Sequence, residues 1–136
     1  MKKYLPLVLV SVVAVLVGYY LVATAPKSAT VALAALNDSG ISGSALLKEE
    51  NGQMIITLTL VGAPAGSSMP AHIHAGECPG IGAVKYSLDP VVDGKSTTSL
   101  NGLKLSDLQT MLPLAINVHK SAEEISNYVA CGSIQL

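Results

Sequence analysis

The chain has 136 residues, half of them hydrophobic, and a formal net charge of −1 at pH 7. This length allows one globular domain and a targeting segment. All eight basic residues are lysines, and they are scattered, whereas a nucleic-acid surface needs clustered cations and usually arginine. Composition therefore argues against a nucleic-acid partner. Because Phe and Trp are absent, the core must be built from aliphatic side chains.

Residues 1–25 contain a nearly unbroken apolar run behind Lys2 and Lys3. About 20 such residues are enough to span a bilayer, and the basic flank predicts that the rest of the chain is exported. The small-x-small sequence Ala23–Ala25 instead matches a signal peptidase site, although Pro26 would directly follow the cut. We favour a membrane anchor over a cleaved signal peptide. Either segment places the remainder outside the cytoplasm, in a periplasm or at the cell surface, or secreted if cleavage occurs.

A series of short β-type runs separated by turn residues follows a linker at residues 26–29. The alternation is clearest over 53–61, where Met54, Ile56 and Leu58 share one face. We predict strands at 30–36, 41–48, 53–61, 71–75, 83–88, 95–100, 114–119 and 128–136, and a short helix at 105–112 with Ser106 as its N-cap. Residues 30–136 are therefore expected to form an all-β sandwich or flattened barrel of about eight strands.

All three histidines of the chain lie in two of these predicted strands. His72 and His74 share one face because strand side chains alternate with period two, and Ile73 between them then points into a core. His119, with the apolar Val118 before it, could complete a three-nitrogen metal site from another strand. Imidazole suits copper, zinc, iron or nickel, so residue type does not select the metal. Strand histidines without a metal, facing solvent or hydrogen-bonded into a loop, remain the alternative.

The two cysteines, Cys78 and Cys131, are the only pair available, and export would expose them to an oxidising compartment. One disulfide is expected, with two buried free thiols as the alternative. Met69 is a conceivable thioether ligand, but its offset from the histidines places it on the opposite face, so packing in the core or in a loop is expected. Glu123 and Glu124 predict a solvated loop face, with the orientation of a metal-bound imidazole as a second interpretation.

Four features resemble, in the same order along the chain, the copper/zinc superoxide dismutase family: residues 71–74 (Ala-His-Ile-His), a cysteine shortly afterwards, residues 117–119 (Asn-Val-His) and residues 130–134 (Ala-Cys-Gly-Ser-Ile). The resemblance covers almost the whole exported part. It implies a Greek-key β-barrel with a metal on its outer face under long loops. It also implies a disulfide between Cys78 and Cys131 that ties a loop to the last strand.

Carried over residue by residue, the resemblance implies that His72, His74 and His119 are copper ligands. Val84 stands near the position of the family's bridging histidine, and no other histidine replaces the remaining zinc ligands, so no zinc site is expected. Tyr128 stands where the family has an active-site arginine. The segment after His119 is also shorter than the family's electrostatic loop.

These departures shape the functional expectation. We expect an exported, membrane-anchored superoxide dismutase-like domain that binds one copper ion and has weak dismutase activity at most, because an oriented donor and a steering charge are missing. Two alternatives stay open: a copper-binding or copper-handling module without catalysis, and a metal-free structural or interaction domain. Superoxide or a copper ion is the expected partner. A homodimer is also open, since the family's barrels often pair through exposed apolar strand faces.

Overall fold

The computed structural model describes residues 27–136. They form eight strands and one short helix: β1 Ser28–Ala35, β2 Ser42–Glu50, β3 Gln53–Val61, β4 Ser68–Ala75, β5 Val84–Val92, β6 Lys95–Asn101, α1 Leu105–Met111, β7 Leu114–His119 and β8 Tyr128–Ser133. The predicted all-β class is confirmed. The anchor or signal peptide predicted at residues 1–25 lies outside the described residues. Within 27–136, no helix has the length and apolar character needed to cross a membrane.

Period-two alternation builds the strands, as expected for sheets with one face on a core. In β3, Met54, Ile56 and Leu58 are wholly buried, and the residues between them are at least partly exposed. The bounds of β3 agree with the prediction. Strand β1 begins at Ser28, two residues earlier than predicted, and takes in part of the predicted linker.

The strands close into an antiparallel barrel in the order β1-β2-β3-β6-β5-β4-β7-β8. Strands β4, β5 and β6 follow one another as neighbours, and β7 returns to lie beside β4, which is the strand order of a Greek key. Two contacts in the barrel are sparse. Strands β1 and β8 share two residue pairs, and β5 and β6 share only Val92–Lys95 next to their turn. Farther along, the Asp89 N–H donates to Thr98 Oγ1 (2.7 Å) instead of a backbone carbonyl.

Helix α1 packs where β5 and β6 separate. Leu108 of the helix is fully buried in the core, and the Tyr86 hydroxyl of β5 lies 3.9 Å from the Met111 sulfur. The helix begins at Leu105, as predicted, but the predicted N-cap at Ser106 is wrong, because Lys104 is its N-cap. A carboxylate of β2 takes the capping role, since Glu49 Oε1 accepts the Leu105 N–H at 2.6 Å.

Aliphatic side chains from seven of the strands and α1 fill the barrel interior, and the partly buried Leu100 of β6 packs against them. Met69 is 1% exposed within this core, which confirms that it lies on the face opposite the histidines. Ala71 and Ile73 of the same strand are wholly buried beside it. The outer face of β4 and β7 is therefore left for the polar side chains.

Candidate metal centre

Strands β4 and β7 are hydrogen-bonded neighbours, and this pairing brings the two histidine segments together. Ile73 of β4 and Val118 of β7 belong to the core, so His72, His74 and His119 project from the outer face. His72 lies directly opposite Asn117 in the antiparallel register, which places His119 diagonally across from it. The alternation predicted from sequence is confirmed at all three positions.

The three imidazoles converge on one point. Each offers one ring nitrogen, and these nitrogens all lie within 4.8 Å of one another. The ring centroid of His72 is 5.6 Å from that of His74 and 4.9 Å from that of His119. Three ligands at about 2.0–2.1 Å from a metal would have mutual separations of roughly 3.5 Å. Small side-chain movements would therefore suffice to close the set around an ion.

Backbone carbonyls hold two of the rings by their Nδ1 atoms. His74 Nδ1–H donates to the carbonyl oxygen of Gly82 at 2.9 Å, and His119 Nδ1–H donates to the carbonyl oxygen of Ile125. Such contacts fix the tautomer and leave Nε2 with a free lone pair, as is usual for metal-bound histidine. His74 Nε2 is buried and has no hydrogen-bond partner among residues 27–136. Burying a nitrogen without a hydrogen-bond partner costs free energy. Its lone pair is available to a metal ion, which would remove that cost.

The third ring completes the donor set with a different atom. His72 Nδ1 lies 2.9 Å from His119 Nε2. Since His119 carries its proton on Nδ1, His72 must supply the proton between these two nitrogens when no metal is bound. When His72 carries its proton on Nε2 instead, His72 Nδ1, His74 Nε2 and His119 Nε2 are all available as lone-pair donors. The arrangement fits a transition-metal ion that accepts imidazole nitrogen.

Burial and mutual proximity lower the tendency of His72 and His119 to become charged. Burial, then the neighbouring His119 and His74, hold the pKa of His72 below its usual value. Burial also lowers the pKa of His119, although the Ile125 carbonyl acts in the opposite direction. Both rings are therefore neutral at neutral pH, which is the state that binds a metal.

A disulfide positions the loop that holds His74. Cys78 and Cys131 are bonded, so the predicted disulfide is confirmed, and it ties the segment between β4 and β5 to β8. The Cys78 N–H also donates to Ser133 Oγ at 3.1 Å. At the far end of the same loop, the Gly82 N–H donates to the Ala75 carbonyl at 2.7 Å. These contacts determine where the Gly82 carbonyl lies.

The rim of the centre is apolar. Val84 is the cross-strand partner of His74 and is 49% exposed. Tyr128 meets His119 edge-on, with ring centroids 5.2 Å apart, and the Ile125 side chain is 45% exposed. No hydrogen bond links a carboxylate to these rings within residues 27–136.

The acidic pair after His119 is solvated, as the first interpretation of the sequence predicted. Glu123 and Glu124 are both exposed. Glu124 forms an ion pair with Lys120 at 2.9 Å, which neutralises the nearest cation on this loop. The loop therefore presents no free positive charge to an approaching anion.

Sequence reasoning missed the groups that orient the rings. Gly82 and Ile125 act through backbone carbonyls, which every residue has, so their identities gave no signal. Asn117 was also missed as a polar residue in its own right, although an amide in an otherwise apolar strand is visible in the sequence. Its side chain is wholly buried and makes no hydrogen bond within the described part of the chain.

The fold and the site together define an eight-stranded antiparallel β-barrel with a three-histidine candidate metal centre on its outer face. No protein-family model, curated protein or solved structure matches this chain. The resemblance to the superoxide dismutase family therefore rests on the residues of the chain itself.

Proposed function

We propose that this protein is a superoxide dismutase-like domain that binds one copper ion through His72, His74 and His119. The observation that carries the proposal is the convergence of three ring nitrogens within 4.8 Å. Two of the rings are already held in the required tautomer by backbone carbonyls. A cluster of histidines that merely faced solvent would not need this orientation.

Two arguments favour copper over other metals. Divalent copper has the highest affinity for a given nitrogen site in the first-row series, and imidazole ligands suit it. The donor set also matches, residue by residue, the copper ligands implied by the family resemblance. A family-type zinc site would need further ligands, and residues 27–136 contain no other histidine. Three imidazoles also suit an open zinc site, so metal identity is what the titration below decides.

Weak dismutase activity is the catalytic part of the proposal. Bound copper supplies one-electron redox chemistry, by which two superoxide ions and two protons give dioxygen and hydrogen peroxide. The chain contributes access past the half-buried His72 and the three imidazole rings that would hold the ion. The lysine next to His119, Lys120, is paired with Glu124, and Val84 cannot carry a proton. Losing one such oriented donor typically costs a factor of about 10² or more, so a low rate is expected.

Copper handling without catalysis is the second candidate, and the rim favours it. Val84 and Ile125 are exposed apolar residues beside the rings, and Tyr128 covers an edge of His119. A surface of this kind does not concentrate a small anion from solution. It is better suited to contact with another protein that delivers or accepts the ion.

We also propose that the domain is exported and held at the membrane by residues 1–25. The disulfide supports the extracytoplasmic location, because such bonds persist in oxidising compartments and are rare in the cytosol. A tether would keep the copper centre close to the membrane surface. Release of the domain by cleavage after residue 25 is the alternative, and mass spectrometry of the protein isolated from its membranes distinguishes the two.

Copper titration of the full chain, followed by electron paramagnetic resonance and elemental analysis, tests the metal proposal. One tightly bound copper per chain with a nitrogen-rich signal is expected. The His72→Ala/His74→Ala/His119→Ala variant should lose this binding and keep its β-sheet circular dichroism. Undiminished binding by the triple variant, or no specific binding by the wild-type chain, would overturn the proposal.

The Val84→His variant tests the catalytic part. A histidine at this position would add an imidazole directly beside His74 on β5. We expect the copper-loaded variant to dismutate superoxide faster than the wild-type protein. Val92→His is the matched control, because Val92 lies on the same strand with similar exposure (51%) but away from the rings. Equal rates in all three proteins would favour copper handling over catalysis.

A further inference from the structure

Asn117 is a buried amide with nothing to bind. Its side chain has no exposed surface, and neither Oδ1 nor Nδ2 has a hydrogen-bond partner among residues 27–136. An unpaired amide in a protein interior costs about 1–3 kcal/mol in mutational measurements. A valine or leucine would suit this strand better, so the amide points to a partner that residues 27–136 do not supply.

The strand geometry directs Asn117 to the histidine side of the sheet. Ile116 and Val118, on either side of it, belong to the barrel core, so Asn117 projects from the outer face together with His119. Its direct cross-strand partner on β4 is His72. On β8 it is paired with Cys131. Asn117 therefore lies between the imidazole cluster and the disulfide, at the base of the candidate centre.

The lengths of the side chains match a common ligand position. Directly opposed strand residues have Cβ atoms about 4.5–5.5 Å apart. His72 offers its Nδ1 atom, and Asn117 Oδ1 is likewise a δ-position atom, so the two atoms stand at similar heights above neighbouring strands. His74 and His119 offer Nε2, which lies one bond farther from the backbone than a δ-position atom. His74 lies diagonally across from Asn117, and His119 lies diagonally across from His72. The two shorter donors, on His72 and Asn117, lie side by side, and the two longer donors extend past them. Together, the four donors can enclose one ion.

We propose that Asn117 supplies its carboxamide oxygen as a fourth ligand to the metal, from the buried side of the three-histidine centre. This inference rests on the proposed copper binding and specifies its ligand set. An amide oxygen is a hard donor that suits divalent ions, whereas Cu(I) prefers softer ligands. Asn117 therefore stabilises Cu(II) over Cu(I) and lowers the reduction potential of the centre.

Two substitutions at Asn117 separate a ligand from a packing residue. Asn117→Leu keeps the branching at Cγ and removes both polar atoms, whereas Asn117→Asp keeps the shape and places a negative oxygen at the same point. For Asn117→Leu we expect Cu(II) affinity to fall by at least about tenfold, while Cu(I) affinity stays within about twofold of wild type. For Asn117→Asp we expect Cu(II) affinity to rise. The Cu(II) resonance spectrum should change in both variants.

The metal-free protein provides a second readout. Removing an unpaired buried amide should leave the melting temperature of metal-free Asn117→Leu equal to or higher than that of wild type. Ser96→Ala is the matched control, because Ser96 also has a buried, unpartnered side-chain oxygen but lies on β6. This control should leave both copper affinities and the Cu(II) spectrum unchanged.

The outcomes separate this inference from the function on which it rests. Copper bound by Asn117→Leu with wild-type affinity in both oxidation states and an unchanged spectrum would overturn the ligand role and leave the three-histidine proposal intact. Parallel losses of Cu(I) and Cu(II) affinity would assign Asn117 to packing and also overturn it. If Asn117→Leu does not fold, wild-type Cu(II) affinity in the Asn117→Asp variant would likewise overturn the ligand role of Asn117. Failure of the wild-type chain to bind copper would overturn both.

Discussion

Removing the disulfide should destabilise the barrel by an amount that its loop length predicts. Cys78 and Cys131 are 53 residues apart. In the chain-entropy treatment, closing a loop of this length stabilises the folded state by about 4 kcal/mol. For a domain of the size of residues 27–136, this corresponds to a fall of roughly 15–20 °C in melting temperature. Thermal unfolding of the metal-free Cys78→Ser/Cys131→Ser variant measures the effect.

The same variant should weaken the metal centre, because the disulfide holds the loop whose Gly82 carbonyl orients His74. Contacts of this kind are typically worth about 10–100-fold in metal affinity, so a loss in that range is expected in a copper competition titration. Ser133→Ala is the control, since it removes one hydrogen bond to the Cys78 N–H and keeps the covalent bond. It should cost only about 1 kcal/mol. Wild-type copper affinity in the double-serine variant would refute the proposed coupling between the loop and the centre.

Two further predictions concern acid and barrel closure. The pKa values of His72 and His119 are lowered from 6.5 in the folded protein, so the unfolded chain takes up these protons first. The free energy of unfolding of the metal-free protein should therefore be greatest above about pH 6.5 and fall as the pH drops below it. Urea unfolding measures this free energy at each pH, and a value that stays constant or rises in acid would contradict the prediction. A Cβ at Gly132 would overlap the Ala32 carbonyl oxygen, so Gly132→Ala should destabilise the barrel by about 1–3 kcal/mol or more. Gly80→Ala is the control, because a Cβ at Gly80 would make only an ordinary contact at 3.8 Å, and it should leave the urea midpoint nearly unchanged. Equal effects of the two alanine substitutions would refute the close approach of Gly132 to the Ala32 carbonyl.

The elements predicted least well are those that depend on distant contacts. The start of α1 at residue 105 agrees with the prediction, but its N-cap was misassigned, because the first N–H of the helix is capped by Glu49 from β2 and no local pattern reports that contact. Strand β5 runs to Val92, beyond the predicted end, although Pro90 argues against a regular strand. The pairing of β5 with β4 is irregular between Met69 and Ala71, and an irregularity of this kind accommodates a proline that has no N–H to donate.

The face of the sheet on which the histidines lie could be assigned from the sequence alone. Alternation is a local property of an extended backbone, so His72 and His74 had to share a face whatever surrounded them. That His119 is their neighbour is visible only in the folded barrel, because strand pairing is a relation between distant segments. The same is true of the carbonyls that orient the rings and of the burial of Asn117, since both depend on where loops and neighbouring strands come to lie when the barrel closes.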